Sequence, residues 1–72
     1  MRQYAMVAEY HEYVDGSLTL VRETCTQHAS DVRQAINDVQ AYILKYRNVV
    51  SVDVTKNKDK DVVITNIYSE ED

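Results

Sequence analysis

The sequence places one thiol close to an imidazole, the pair that nucleophilic catalysis by cysteine requires. Cys25 is the only cysteine, and His28 follows it three residues later. A working site would also need a third group to orient the histidine and donors for an oxyanion. The chain has one glycine, so no glycine-rich loop can supply those donors. A free cysteine is most often a small buried hydrophobic residue, and we expect that role for Cys25.

Two further patterns could do chemistry. Glu9 and His11 lie two residues apart with Tyr13 next, so a strand would place all three on one face. Two good ligands make a weak metal site, and an exposed histidine beside a glutamate is far commoner. Glu9 and Glu12 fall on opposite faces of a strand, and Glu23 is expected on an edge strand, so no carboxylate pair converges. The sequence therefore predicts no enzyme, no metal site and no cofactor.

The chain of 72 residues predicts one small domain. A core of this size gives only about 3–5 kcal/mol of stability, and one cysteine cannot form an internal disulfide. Association with itself or with a partner is therefore expected. The unpaired thiol fits a reducing compartment, and the sequence has neither a signal peptide nor an apolar run of the roughly 18 residues that a membrane span needs. These features predict a cytoplasmic protein that does not bind membranes.

Negative charge is concentrated at the C-terminus. The net charge is −4, of which residues 1–48 contribute −1 and residues 49–72 contribute −3. Glu70, Glu71 and Asp72 form a short acidic tail. This balance argues against direct nucleic-acid binding, which requires lysine and arginine to neutralise phosphates.

Asp15-Gly16 separates two strand-like segments and predicts a β-hairpin. Gln3–Val14 alternates along its length, and Leu18 to about Thr26 is rich in apolar and β-branched residues. Asp-Gly tolerates the positive φ values of a type I′ turn.

A helix is predicted to begin near Ser30, as the N-cap, and to end before Asn48. Asp31 would add a negative charge at the positive end of the helix dipole. One apolar stripe at helical spacing contains Val32, Ala35, Ile36, Val39, Ile43 and Tyr46.

The C-terminal part predicts a second hairpin, with a third strand over Val49–Thr55, a polar loop, and a fourth strand over Asp61–Tyr68. The predicted fold class is α+β, a ββαββ two-layer domain with one helix across one face of a four-stranded sheet. The sequence slightly favours a β-grasp-like order, with strands 1 and 4 parallel neighbours in the centre, over an order in which strands 2 and 3 are adjacent. The single domain spans residues 1–72, with an ordered core of about 2–69 and the acidic tail at 70–72.

Strands 1 and 4 carry apolar residues on both faces, although one helix can cover only one face. Contiguous apolar surface usually marks a contact region, and tyrosine, the only aromatic type here, suits interfaces. The predicted interface candidates are Tyr4, Met6, Tyr10, His11, Tyr13, Val63, Ile67 and Tyr68, with Glu70, Glu71 and Asp72 as a possible acidic contact.

In size, acidity and layout the chain resembles small β-grasp-like and phage-encoded accessory proteins that block or adapt a larger machine. The leading hypothesis is a non-enzymatic interaction protein, homodimeric or bound to a larger protein as an accessory or inhibitor. One alternative is an acidic decoy that occupies a nucleic-acid-binding groove. A second alternative is a small enzyme or metal-binding protein.

Overall fold

A computed structural model of the protein describes residues 1–52 and 61–70, and of Glu70 only the backbone. The elements are β1 (Arg2–Val14), β2 (Ser17–Ala29), α1 (Val32–Tyr46) and β3 (Val63–Glu70). The strands form one antiparallel sheet in the order β2-β1-β3, with the helix against one face. The predicted α+β class is confirmed.

The first hairpin forms as predicted. Val14 pairs with Ser17 across a two-residue turn, in which φ is 52° at Asp15 and 81° at Gly16. Positive φ at both positions defines a type I′ turn, which matches the twist of the flanking strands. A Cβ at Gly16 would meet no atom within 4 Å, so the turn needs glycine for its backbone conformation and not for space.

The first and last strands are neighbours, as predicted, but the parallel orientation of the β-grasp-like order is wrong. β3 runs antiparallel to β1, from Glu9↔Val63 to Gln3↔Glu70. The reason is where the chain returns after the helix: the Val50 N–H donates to the His11 carbonyl at 2.8 Å, near the hairpin end of β1. A strand that begins at that end can only run back toward the start of β1.

The predicted third strand is not found among the described residues, and the four-stranded ββαββ order is not confirmed. Residues 49–52 form no strand, and the bond from Val50 is their one backbone link to the sheet. The rest of that prediction, residues 53–55, and most of the predicted polar loop lie outside the described residues. β2 and β3 run parallel on either side of β1, because both are antiparallel to it, and α1 belongs to the connection between them.

The helix begins one residue later than predicted. Its N-cap is Asp31 and not Ser30, because the Asp31 carboxylate accepts a hydrogen bond from the Gln34 N–H at 2.8 Å. The Gln34 side chain in turn accepts from the Ser30 N–H at 2.8 Å. Two backbone donors at the helix start are therefore satisfied by two side chains.

The core lies between α1 and the face of β1 that carries Tyr4, Met6, Ala8 and Tyr10. The buried apolar residues are Tyr4, Met6, Ala8, Tyr10, Ala29, Ala35, Val39, Ile43 and Val62. A β-bulge shifts the β1–β3 register between Ala5 and Val7, at Asn66, where φ is 53°. Ile67 packs against the core, whereas Tyr68 pairs with Ala5.

Candidate functional site

The face of the sheet opposite the helix carries a set of exposed apolar side chains. Alternation along the strands places Tyr13, Leu18 and Leu20 of the hairpin on this side, with Val63 and Tyr68 of β3. Each of these five side chains is between 49% and 66% exposed. We call this surface the open face.

The register of the hairpin brings these residues together. Tyr13 lies directly opposite Leu18, and His11 lies opposite Leu20, so four neighbouring side chains form an apolar and aromatic cluster near the turn. Contiguous exposed apolar surface of this kind is typical of protein contact regions. Sequence reasoning missed Leu18 and Leu20, although the Asp-Gly turn fixes the pairing that places them beside Tyr13 and His11.

One ion pair interrupts the open face. Glu9 lies opposite Arg22, and their charged atoms are 3.6 Å apart. The Arg22 side chain is 60% exposed, so the pair contributes at most about 1 kcal/mol to stability. Because these two charges neutralise each other, the described part of the open face between the hairpin cluster and Tyr68 has no unpaired arginine or glutamate.

The predicted interface residues fall on two different faces. His11, Tyr13, Val63 and Tyr68 lie on the open face. On the helix side, Tyr4, Met6 and Tyr10 are at most 8% exposed, and half-buried Ile67 packs against the same core. The side chain of Glu70, together with Glu71 and Asp72, lies outside the described residues, and so does the acidic contact predicted for this tail.

A buried tyrosine is coupled to a charged pair at the end of the helix. The Tyr10 hydroxyl donates to the Glu23 carboxylate at 2.9 Å, and the Arg47 guanidinium lies 3.5 Å from the other carboxylate oxygen. Burial, followed by the hydrogen bond to Glu23 and the charge of that carboxylate, raises the pKa of Tyr10 to about 12. Tyr10 is therefore a neutral hydrogen-bond donor at physiological pH. Arg47 also lies over the ring of Tyr42, 5.7 Å from its centroid.

A groove of about 300 Å³ runs between β2 and α1. Its lining includes Glu23, Cys25 and Gln27 from the strand and Val39, Tyr42 and Arg47 from the helix side. Burial, followed by the Glu23 charge, raises the pKa of the Cys25 thiol, which opposes formation of a thiolate.

The cysteine and histidine singled out in the sequence do not form a catalytic pair. Cys25 lies on the helix side of β2, where it lines the groove. His28 is three residues further along the strand, so strand alternation places it on the open face. Glu9, His11 and Tyr13 do share one face. Within residues 1–52 and 61–70, however, no three histidine, cysteine, aspartate or glutamate side chains are grouped closely enough to hold a metal ion.

The outer edge of β2 is the second surface of interest. β2 pairs with β1 along its whole length, and no described residue pairs with its other edge. This edge borders both the open face and the groove.

Comparisons with protein-family models, with curated proteins and with solved structures find no match. In the part of the chain that the structure describes, no helix is long and apolar enough to span a membrane.

Proposed function

We propose that this protein works by binding another protein through the open face of its sheet. The observation that carries the proposal is the exposed set formed by Tyr13, Leu18, Leu20, Val63 and Tyr68. Large apolar side chains on neighbouring strands, with tyrosines at both ends of the set, are typical of contact surfaces. The role is that of a non-enzymatic accessory or inhibitory module acting in the cytoplasm.

The partner is a larger protein with an apolar, aromatic-accepting surface. Among the described residues of the open face, Glu9 and Arg22 form an ion pair and so neutralise each other. A nucleic acid would instead require several free cations to offset its phosphates. Leu20 is 52% exposed, so a partner surface that buries the rest of this side chain would gain about 1–1.5 kcal/mol from it.

Catalysis has no comparable support. Cys25 and His28 lie on opposite sides of β2, and the pKa of the thiol is raised. The Tyr10 hydroxyl is buried and donates to Glu23. Each of these groups is accounted for by packing or by a structural hydrogen bond.

Site-specific photocrosslinking in the source cells tests the proposal. A benzophenone amino acid replaces Tyr13 or Tyr68 on the open face, and replaces Tyr46, a comparably exposed tyrosine on the helix, as the control. We expect a discrete adduct with a larger protein from the two open-face positions and not from Tyr46.

The same assay is repeated with Leu20→Asp and with a matched control, Val32→Asp, which changes an exposed apolar residue on the helix. Leu20→Asp should reduce the adduct at least about tenfold, because a charge replaces a side chain that the partner buries. Val32→Asp should leave the adduct unchanged. An adduct that survives Leu20→Asp, or that forms equally from Tyr46, would refute the proposal.

A further inference from the structure

Among the described residues, no strand pairs with the outer edge of β2, although this strand is long. It spans 13 residues, contains no glycine or proline, and pairs with β1 in unbroken register. Proteins ordinarily protect such an edge with charged side chains, a proline, a bulge or a short strand, because its free backbone groups attract other strands. Of these protections β2 has two adjacent charges of opposite sign, Arg22 and Glu23. β3, by contrast, is 8 residues long and carries the bulge at Asn66.

The turn determines which backbone groups of β2 point outward. In a two-residue hairpin, the residues that flank the turn, here Val14 and Ser17, form a hydrogen-bonded pair. The odd-numbered residues of β2 therefore direct their N–H and C=O groups toward β1. The even-numbered residues, from Leu18 to His28, direct theirs to the free edge.

We propose that this edge pairs antiparallel with β2 of a second copy of the chain, about a two-fold axis at Thr24. The pairing joins two three-stranded sheets into one of six strands. Like many homodimer interfaces it is isologous, because the same edge serves both copies.

The charges on β2 select the register. An axis at Arg22 would place two arginines opposite each other, and an axis at Glu23 would place two glutamates opposite each other, both of which are unfavourable. An axis at Thr24 overlaps residues 19–29 and places Arg22 opposite Thr26 and Glu23 opposite Cys25 of the second copy. It is the longest overlap that sets no like charges opposite each other.

The groove beside the edge is a second observation that favours this occupant. Its wall carries Val39, the half-exposed ring of Tyr42 and half-buried Cys25, on the helix side of the sheet. A strand added to β2 directs alternate side chains into such a groove. Because the two-fold axis relates the two copies, β2 of each copy lies beside the groove of the other copy.

This dimer does not depend on the open-face proposal, because its hydrogen bonds join the outer edges of β2. Its pairing does set Leu20 of the open face opposite His28 of the second copy. It would place the two open faces side by side in one continuous surface. A protein that fails to dimerise could still bind a partner through one open face, and the crosslinking assay above would detect that binding.

The test uses opposite charges at the residue on the axis. Thr24→Lys places two lysines opposite each other, and Thr24→Glu places two glutamates there, so each variant alone should dimerise at least about tenfold more weakly than the unchanged chain. An equimolar mixture of the two should recover the dimer as a heterodimer. The measurement is sedimentation equilibrium over a concentration series, with circular dichroism to confirm folding.

The matched control is the same pair of changes at Thr65, on the open face of β3, which should leave the dimer constant within about twofold. If either Thr24 variant unfolds, a chemically synthesised chain replaces it, in which the Thr24 amide is N-methylated and cannot donate across the dimer. The control is a chain N-methylated at Leu18, which lies outside the paired residues 19–29. An unchanged chain that stays monomeric at all concentrations would overturn the proposal. So would a mixture that fails to recover the dimer, or a dimer that tolerates each charge at position 24.

Discussion

Replacing Tyr10 with phenylalanine should destabilise the protein, and by an amount that depends on pH. The substitution keeps the buried ring and removes the hydroxyl that donates to Glu23 at 2.9 Å. Hydrogen bonds to charged groups contribute roughly 1.5–3 kcal/mol to stability. The Glu23 side chain is 28% exposed and keeps its ion pair with Arg47. Water and Arg47 can therefore offset part of the loss, and we expect the low end of the range, about 1.5 kcal/mol near neutral pH.

The pH dependence follows from the raised pKa of Tyr10. The unfolded chain releases the phenolic proton near the ordinary value of 10.0, whereas the folded protein holds it until about 12. Between these values unfolding releases a proton, so rising pH favours the unfolded state. The unfolding free energy of the unchanged protein should fall by about 1.3 kcal/mol between about pH 9 and pH 11 from this group alone. The Tyr10→Phe variant lacks this contribution, so its deficit of about 1.5 kcal/mol should nearly vanish at about pH 11.

Urea unfolding followed by circular dichroism, at pH values from about 7 to 11, measures both effects. Tyr13→Phe is the control, because it removes a hydroxyl from an exposed residue of the same strand and should change stability by less than about 0.5 kcal/mol. A Tyr10→Phe deficit that stays constant between neutral and alkaline pH would refute the assignment of a buried, neutral Tyr10. A negligible deficit at neutral pH would refute the contribution of its bond to Glu23.

Three other substitutions or reactions test the fold. Asp31→Ala should lower the free energy of unfolding by about 1 kcal/mol, because it removes the N-cap. Ser30→Ala should change it little, because Ser30 contributes its backbone N–H, and the urea unfolding midpoints distinguish the two variants. Ile43→Ala should cost about 2–5 kcal/mol because Ile43 is fully buried, and Val32→Ala, at an exposed helix position, should cost less than about 1 kcal/mol in the same assay. Cys25 should react with a disulfide reagent at neutral pH more slowly than the same residue in urea, because burial and Glu23 raise its pKa; equal rates would contradict this.

The N-terminal half of the fold can be predicted from sequence because its signals are local. Asp15-Gly16 fixes the turn and, with it, the register of every pair in the hairpin. The apolar stripe of α1 fixes which helix residues face the core, including Val39 and Ile43. The one-residue error at the helix start arises because Ser30 and Asp31 are equally good caps, and the choice depends on the bond from Gln34.

The sequence also indicates which face of β1 the helix covers. Tyr4, Met6, Ala8 and Tyr10 include no charged residue, whereas the other face carries Glu9 beside His11. Because a buried charge is costly without a partner, the helix packs on the uncharged face. Weighing this difference would have separated the core tyrosines from Tyr13.

The C-terminal part could not be predicted in the same way. The valines after the helix favour a strand by composition, but Val50 contributes one backbone bond to β1 and residues 49–52 stay irregular. Orientation of the last strand depends on where the chain re-enters beside His11, which is a tertiary property. The bulge at Asn66 has no local signal beyond the tolerance of asparagine for positive φ.

The position of β1 at the centre of the sheet has a consequence for how the protein is made. β1 precedes the other described elements along the chain, and β3, which completes its second row of hydrogen bonds, follows them. During synthesis the hairpin and helix can assemble early, while the edge of β1 from Gln3 to Glu9 stays open until residue 70 has emerged. A chain stalled or cut before Val63 would leave this edge of β1 unpaired, on the side of the hairpin opposite the outer edge of β2, and strands of other nascent chains could pair with it.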